Sequence, residues 1–382
     1  MRIGIISTYP PIECGIAAYT GYLTEALRNK GNQVYIISHL GASGKNVFPA
    51  FDYEDGDLAE KAFSATIRLT PDLVHIQHEF GLYGKHTGVS VIPLIMEFRL
   101  AGIRVCTTLH TVYPESPEQH RIILTAIVEN ADAIIVHEPY QLSTLRKIIK
   151  TKGQFKKIHL IPHGARELQP TEGAKAKLGI PETAKVALMI GYFRPSKGFE
   201  RIIKLWPKVA EKYKENDVRL IIAGKVRNIQ YIDYRNMLFR EINSSPARST
   251  IKVIRGQISQ DSFDTIISAA DVVILPYQIS SQSGIVAHCL ALGKSIVTSN
   301  TQYMVSLIEK ARVGLISDTD QDYIKNIGRI LTDDKLRKTF SENAFKYVRE
   351  EVSWSRVADE HIRIYKNLVE PSLLKADTIW MD

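Results

Sequence analysis

KVALMIGYFRPSKGFERII, residues 185–203, is the stretch on which the fold turns. An apolar run of strand length, 185–190, leads into a loop with Arg194 and Lys197, and a helix opens at Gly198. A strand that feeds a helix through a short loop is the repeating unit of a parallel sheet. The two cations beside a helix amino terminus repel one another and its dipole unless an anion compensates. A diphosphate fits: a forked guanidinium and a compact ammonium neutralise its charge as it departs. The plainer alternative is a pair of surface charges on a strand–helix loop.

The same rhythm runs outward in both directions. RIGIIS (2–7), VYIIS (34–38), LVHIQ (73–77), IRVCTTL (103–109), AIIVH (133–137) and KIHLI (157–161) read as buried parallel strands. Helical patterns separate them, such as Ile16 to Lys30, with Tyr19, Leu23, Ala26 and Leu27 on one face. After the Pro- and Gly-bearing segment 163–184 a second set follows: KVALMI (185–190), VRLIIAG (218–224), IKVIRG (251–256), DVVILPY (271–277), KSIVTS (294–299) and VGLIS (313–317). The expected class is α/β, with two Rossmann-like domains facing across a cleft. Residues 1–165 are expected to form the first domain, joined by a carboxyl-terminal helix of about 354–382, and 166–353 the second. Strand carboxyl ends and helix amino ends lining such a cleft bind phosphate through backbone N–H groups.

Composition narrows the function. With 382 residues, 45% hydrophobic and 24% charged, the chain suits two globular domains. No apolar run reaches the roughly 18 residues of a membrane span. The amino terminus reads directly as a strand, so no secretory signal is expected. Cys14, Cys106 and Cys289 are few and scattered, so neither a disulfide framework nor a zinc site follows from them, and a reducing cytoplasm suits them best. The net charge of +8 is dispersed and accompanies no nucleic-acid motif. One denser basic run, Arg146, Lys147, Lys150, Lys152, Lys156 and Lys157, reads as a solvated helix end or as a contact with an anionic inner membrane face.

Further candidate residues sit at strand ends. In ISTYPPIECGIAAYT (6–20), Gly15 lies where loop becomes helix and lets a phosphate approach the backbone. The dinucleotide fingerprint Gly-x-Gly-x-x-Gly is absent there, which argues against a nicotinamide cofactor. In LPYQISSQSGIVAHCLALGKSIV (275–297), Ser283, Gly284 and Ile285 offer the N–H groups of a second helix start. LVHIQHEFGLYG (73–84) gathers His75, His78 and Glu79, but His75 and His78 fall on opposite faces of a strand and do not have metal-ligand spacing. His78 and Glu79 are kept as acceptor-side candidates. His110 in TLHTVYP (108–114) is placed to meet a sugar hydroxyl, with a structural role the alternative; His163 in IPHGA (161–165) reads as structural.

Taken together, the Gly15 loop, His110, the Arg194–Lys197 pair, the Ser-Gly loop and the SW-x-x-x-A start of the last helix resemble the retaining glycosyltransferases of family four. The resemblance covers nearly the whole chain and implies the GT-B fold. TYPPIECGIAAYT, HIQHEFGLYG and TLHTVYP are similar to a bacterial subgroup using mannose-type or glucose-type substrates, such as GDP-mannose or UDP-glucose. It also implies that the glycine loop, Arg194 and Lys197 contact the diphosphate and that His110 touches the transferred sugar. Residues 1–165 are implied to be the acceptor-side domain and 166–353 the nucleotide-sugar donor domain, with the last helix crossing back to the first. Transfer with retention is implied to proceed on one face, the leaving phosphate helping to deprotonate the acceptor, with no metal or other cofactor.

One departure from that family stands out. Its signature is Glu, seven residues, then Glu, the second accepting hydrogen bonds from the nucleotide ribose. Here those positions are Ser280 and His288. A neutral imidazole can accept one ribose hydroxyl bond where a carboxylate accepts two; packing between helix and sheet is the alternative. The leading function is thus hexose transfer from a nucleotide-diphosphate sugar to a saccharide, lipid-linked or small-molecule acceptor. The alternatives are a catalytically inactive subunit partnering another glycosyltransferase, and a phosphorylase or epimerase of the same fold.

Overall fold

The computed structural model describes residues 1–149, 151–279 and 283–379. The chain divides into two compact units, Met1–Gly164 together with the chain from Val352 onward, and Ala165–Glu351.

The first unit is built on seven parallel strands: β1 (Arg2–Ile6), β2 (Gln33–His39), β3 (Val47–Phe51), β4 (Leu73–His78), β5 (Arg104–Leu109), β6 (Ala133–Val136) and β7 (Ile158–Leu160). Their spatial order is β3-β2-β1-β4-β5-β6-β7. Both faces are covered, and for that reason the strands read as continuous apolar runs. Alternate residues diverge to two cores. Ile3, Ile5, Leu73, Cys106, Ala133 and Ile135 join one, with the first helix, Gly15–Asn29, and the last, Trp354–Ile379. Ile6, Val74, Ile76, Val105, Ile134 and Val136 join the other.

The strand Val47–Phe51 is not legible as one in the sequence. It sits at the sheet edge, and its central Pro49 brings no N–H to the ladder, a substitution only an edge strand tolerates.

The second unit carries six parallel strands: β8 (Lys185–Tyr192), β9 (Val218–Lys225), β10 (Ile251–Arg255), β11 (Val272–Leu275), β12 (Ser295–Ser299) and β13 (Gly314–Ser317). The order is β10-β9-β8-β11-β12-β13. Ala187, Met189, Leu220, Ile222, Val272 and Ile274 pack with the helices Phe199–Lys212 and Asp320–Thr332. The two Rossmann-like sheets agree with the fold class expected from the sequence.

In each sheet the chain starts near the middle, winds outward one way, then returns to wind the other. The reversal falls between β1 and β4 in one unit and between β8 and β11 in the other. Helices leave the two strands on opposite faces at that point, which opens a crevice beyond their carboxyl ends where ligands of doubly wound sheets bind.

The last helix belongs to the first unit. Trp354, Val357, Ala358, Ile364 and Tyr365 enter the same core as Tyr19, Leu23 and Leu27. Its docking is polar as well: Tyr365 Oη lies 2.6 Å from His75 Nδ1, and His75 Nε2 is 2.8 Å from Thr108 Oγ1. One buried imidazole thus ties the helix to β4 and β5.

Candidate active site

Arg194 and Lys197 stand directly after β8, at the reversal point of the second sheet. The chain makes a single tight turn, Pro195–Lys197, and then Gly198 adopts φ 67° before the helix Phe199–Lys212 begins. A Cβ at Gly198 would collide with the carbonyl oxygen of Pro276. Glycine is therefore required twice over, for the left-handed conformation and for the close approach. Gln278 N–H donates to the Ser196 carbonyl at 3.1 Å, which locks this turn to the segment after β11.

That approach brings Lys197 Nζ over the ring of Tyr277, 3.4 Å from its centre. The ring face attracts the cation, but burial still disfavours its charge, and Arg194 adds like-charge repulsion. Together they lower the ammonium pKa to about 7. Arg194 itself is exposed. A half-buried lysine and an exposed arginine on one turn, without a carboxylate bound to either among the described residues, form a site that an incoming polyanion would complete. Tyr277 is the member missed from sequence, because only the strand order brings it under Lys197.

The helix Gly284–Ala291 starts beside the same crevice. Ser283 is its amino-terminal cap, with extended backbone, and its hydroxyl lies 3.4 Å from Tyr277 Oη. Ser283 is therefore joined to the residue beneath Lys197. Gly284 and Ile285 hold the first helical positions, whose N–H groups have no partner within a helix. A Cβ placed on Gly284 would meet open space. His288 lies one turn further, and its Nδ1 is 2.9 Å from Arg166 Nη2. Ser280 lies outside the described residues.

In the first unit Gly15 opens the first helix behind an extended Cys14, and open space again lies where its Cβ would be. His110 ends β5 and is buried. Its Nε2 is 2.8 Å from Gln77 Oε1, its backbone N–H donates to the His78 carbonyl at 3.1 Å, and the Tyr19 ring meets it edge-on at 4.8 Å. Burial, with His137, His163, His75 and His78 around it, holds its pKa well below the usual histidine value. His110 is thus a neutral imidazole whose Nε2–H donates a hydrogen bond to Gln77 Oε1, a partner with no sequence signal of its own.

The acceptor-side pair separates in the structure. His78 is fully buried against Phe80 and Tyr83, its ring nitrogens have no hydrogen-bond partner among the described residues, and burial lowers its pKa to about 3. Glu79 is half-buried and accepts from Thr111 Oγ1 at 2.6 Å and from Phe80 N–H at 3.0 Å. His163 is structural here: Nδ1 lies 2.8 Å from the Gly164 carbonyl, and Tyr19 and Trp354 flank the ring. The basic run is partly spent internally. Lys157 Nζ donates to the Ala131 carbonyl at 2.7 Å, Arg146 lies 4.2 Å over the Phe155 ring, and Lys150 is outside the described residues.

Known proteins resemble this chain in sequence and in fold. Over 199 residues the chain is 28% identical to an uncharacterized glycosyltransferase of Methanocaldococcus jannaschii, covering 51% of this chain and 48% of that protein. Over 265 residues it is 26% identical to a D-inositol 3-phosphate glycosyltransferase of Corynebacterium urealyticum, covering 66% and 60%. The alignments span about half to three fifths of these relatives' lengths. Among solved structures, Anabaena HepE in complex with UDP is similar with a TM-score of 0.76 at 13% identity, over 96% of this chain and 100% of that one. That is a likeness of fold, and the fold is GT-B. Residues 171–347 match the family model described as glycosyl transferases group 1.

Proposed function

We propose that the chain transfers a hexose from a nucleotide-diphosphate sugar, of the GDP-mannose or UDP-glucose kind, to an acceptor hydroxyl with retention of configuration. The observation that carries the reading is Lys197 folded over Tyr277 beside Arg194, at the reversal point of the second sheet. An anion with two or more charges relieves the repulsion within that turn and restores the proton that burial removes from Lys197. The helix starts at Gly15 and Gly284 have room beside their backbones for phosphate oxygens.

In the reaction the bond from the anomeric carbon to the diphosphate oxygen breaks, and a bond from that carbon to the acceptor oxygen forms on the same face. The acceptor proton passes to the departing diphosphate. Charge grows on that leaving group as the bond lengthens, so Arg194 and Lys197 stabilise the transition state more than the ground state. Under this reading they supply the charge that a metal would otherwise provide. The acceptor is a saccharide, a lipid-linked sugar or a small molecule, and the relatives' names fit such chemistry without fixing it.

The test is a thermal-shift panel of UDP-, GDP- and ADP-sugars, followed by a transfer assay with the stabilising compound. A ligand at 100 times its dissociation constant adds about 2.7 kcal/mol of stability. A shift with one nucleotide series and release of its diphosphate on adding acceptor is expected. No shift across the panel and no transfer would refute the proposal.

A further inference from the structure

Three side chains that are distant in sequence meet at His288, on the helix Gly284–Ala291. Arg166 and Asp264 form a two-pronged ion pair: Nη1 donates to Oδ2 at 2.9 Å and Nη2 to Oδ1 at 2.6 Å. Arg166 Nη2 also lies 2.9 Å from Nδ1 of His288. The side chains of Arg166, Asp264 and His288 are largely buried, at 17%, 15% and 17% exposure. Asp264 is held in turn by Gln260, whose Nε2 donates to Oδ1 at 2.9 Å, and Phe263 sets its ring edge-on to His288 at 4.9 Å.

Asp264 Oδ1 stands 3.8 Å from the same Nδ1, beyond hydrogen-bond reach, so the nearer guanidinium decides which form of the ring fits. A guanidinium has five N–H donors and no acceptor. The His288 nitrogen facing Arg166 must therefore accept, so its lone pair is on Nδ1 and its proton on Nε2. A ring protonated at both nitrogens would set one N–H against another, and the other tautomer would do the same. Asp264 balances the guanidinium and fixes it in plane, as bidentate carboxylates do.

We propose that Arg166 and Asp264 are positioning residues that hold His288 as the Nε2–H tautomer, so that His288 meets an oxygen of the bound nucleotide as a hydrogen-bond donor. The inference rests on the reading of this helix as the nucleotide-sugar site. It reverses the polarity expected from the sequence, where the ring stood in for an accepting carboxylate. A residue chosen to imitate His288 must then accept from Arg166 and donate toward the nucleotide. Glutamine does both; glutamate offers no donor and competes with Asp264 for the guanidinium.

Two measurements decide this. Nitrogen-15 NMR of histidine-labelled full-length protein, with His288 assigned by its absence in His288→Gln, reads the tautomer directly. The pyridine-like nitrogen is expected at Nδ1, and Arg166→Met is expected to mix the two tautomers. A pyridine-like Nε2, or a doubly protonated ring at pH 7, overturns the proposal without any activity assay. In parallel, dissociation constants for UDP, GDP and ADP are measured on His288→Ala, His288→Gln and His288→Glu. Alanine and glutamate are expected to weaken the nucleotide that binds by about 5- to 10-fold and glutamine by less than about 2-fold, the scale of one hydrogen bond. Rescue by glutamate but not glutamine overturns the donating role. Failure of all three nucleotides to bind wild-type protein refutes the nucleotide-sugar site alone, while the NMR spectrum still decides the Arg166–Asp264 pair.

Discussion

The ammonium of Lys197 lies 3.4 Å from the centre of the Tyr277 ring, and beside Arg194 its pKa is lowered to about 7. A lysine in that state is charged below pH 7 and increasingly neutral above it. A bound diphosphate raises the pKa again, so binding draws a proton wherever free Lys197 is neutral. Affinity for the nucleotide sugar is therefore expected to fall as pH rises from about 6.5 to 8.5, and Lys197→Arg, charged throughout, is expected to flatten the profile. Michaelis constants across that range check it. A pH-independent constant in the wild type would show that Lys197 does not contact the diphosphate.

Arg194→Ala and Lys197→Ala each remove one charge-assisted partner, worth about 1.5–3 kcal/mol. Turnover at subsaturating nucleotide sugar is expected to drop by roughly 10- to 100-fold in both. Near-normal turnover in both variants would refute the assignment.

Gly15 and Gly284 both start helices with open space where a Cβ would stand. Gly15→Ala and Gly284→Ala are expected to fold normally and gain about 0.4–1 kcal/mol from the lower entropy of the unfolded chain. A methyl group in the path of a phosphate is expected to cost activity at the same time, at least about 5-fold in kcat/KM. Urea midpoints and kinetics on the same samples separate the two effects. Full activity in both variants would show that no phosphate approaches there.

Gly164 is the opposite case. A Cβ there would lie 2.5 Å from Cδ2 and Cε3 of Trp354, a large residue that opens the last helix. Gly164→Ala is expected to destabilise the protein by about 1–3 kcal/mol, because the indole must leave its place beside Tyr19. The urea midpoint reports it.

Acid is expected to weaken the first unit specifically. Burial lowers the pKa of His78 and His137 to about 3 and of His163 and His361 to about 4, and it holds His75 and His110 well below the usual value. In the unfolded chain these rings take up protons near pH 6.5. Below that pH the unfolded state binds more protons, so stability is complete above 6.5 and is lost as pH falls toward 4. The melting temperature is expected to be lower at pH 5 than at pH 7 by at least about 5 °C. His361→Leu, which removes one such ring, is expected to shrink that difference. An unchanged melting temperature would place these rings in solvent.

The sequence by itself determined the two sheets, because strands buried on both faces must be apolar along their whole length, and such runs are visible without neighbours. It also determined where the chain passes from strand to helix at Gly15, Arg194–Lys197 and Gly284, because glycine and cations at those junctions answer to local backbone needs. The edge strand Val47–Phe51 escaped, since a half-exposed strand with a central proline lacks that pattern. Side-chain partnerships were beyond it. Tyr277 under Lys197, Gln77 on His110 and Arg166 between Asp264 and His288 join residues that only the strand order makes adjacent. The identity of a histidine is local, but which of its nitrogens carries the proton is set by what stands opposite, and that is decided by tertiary structure alone.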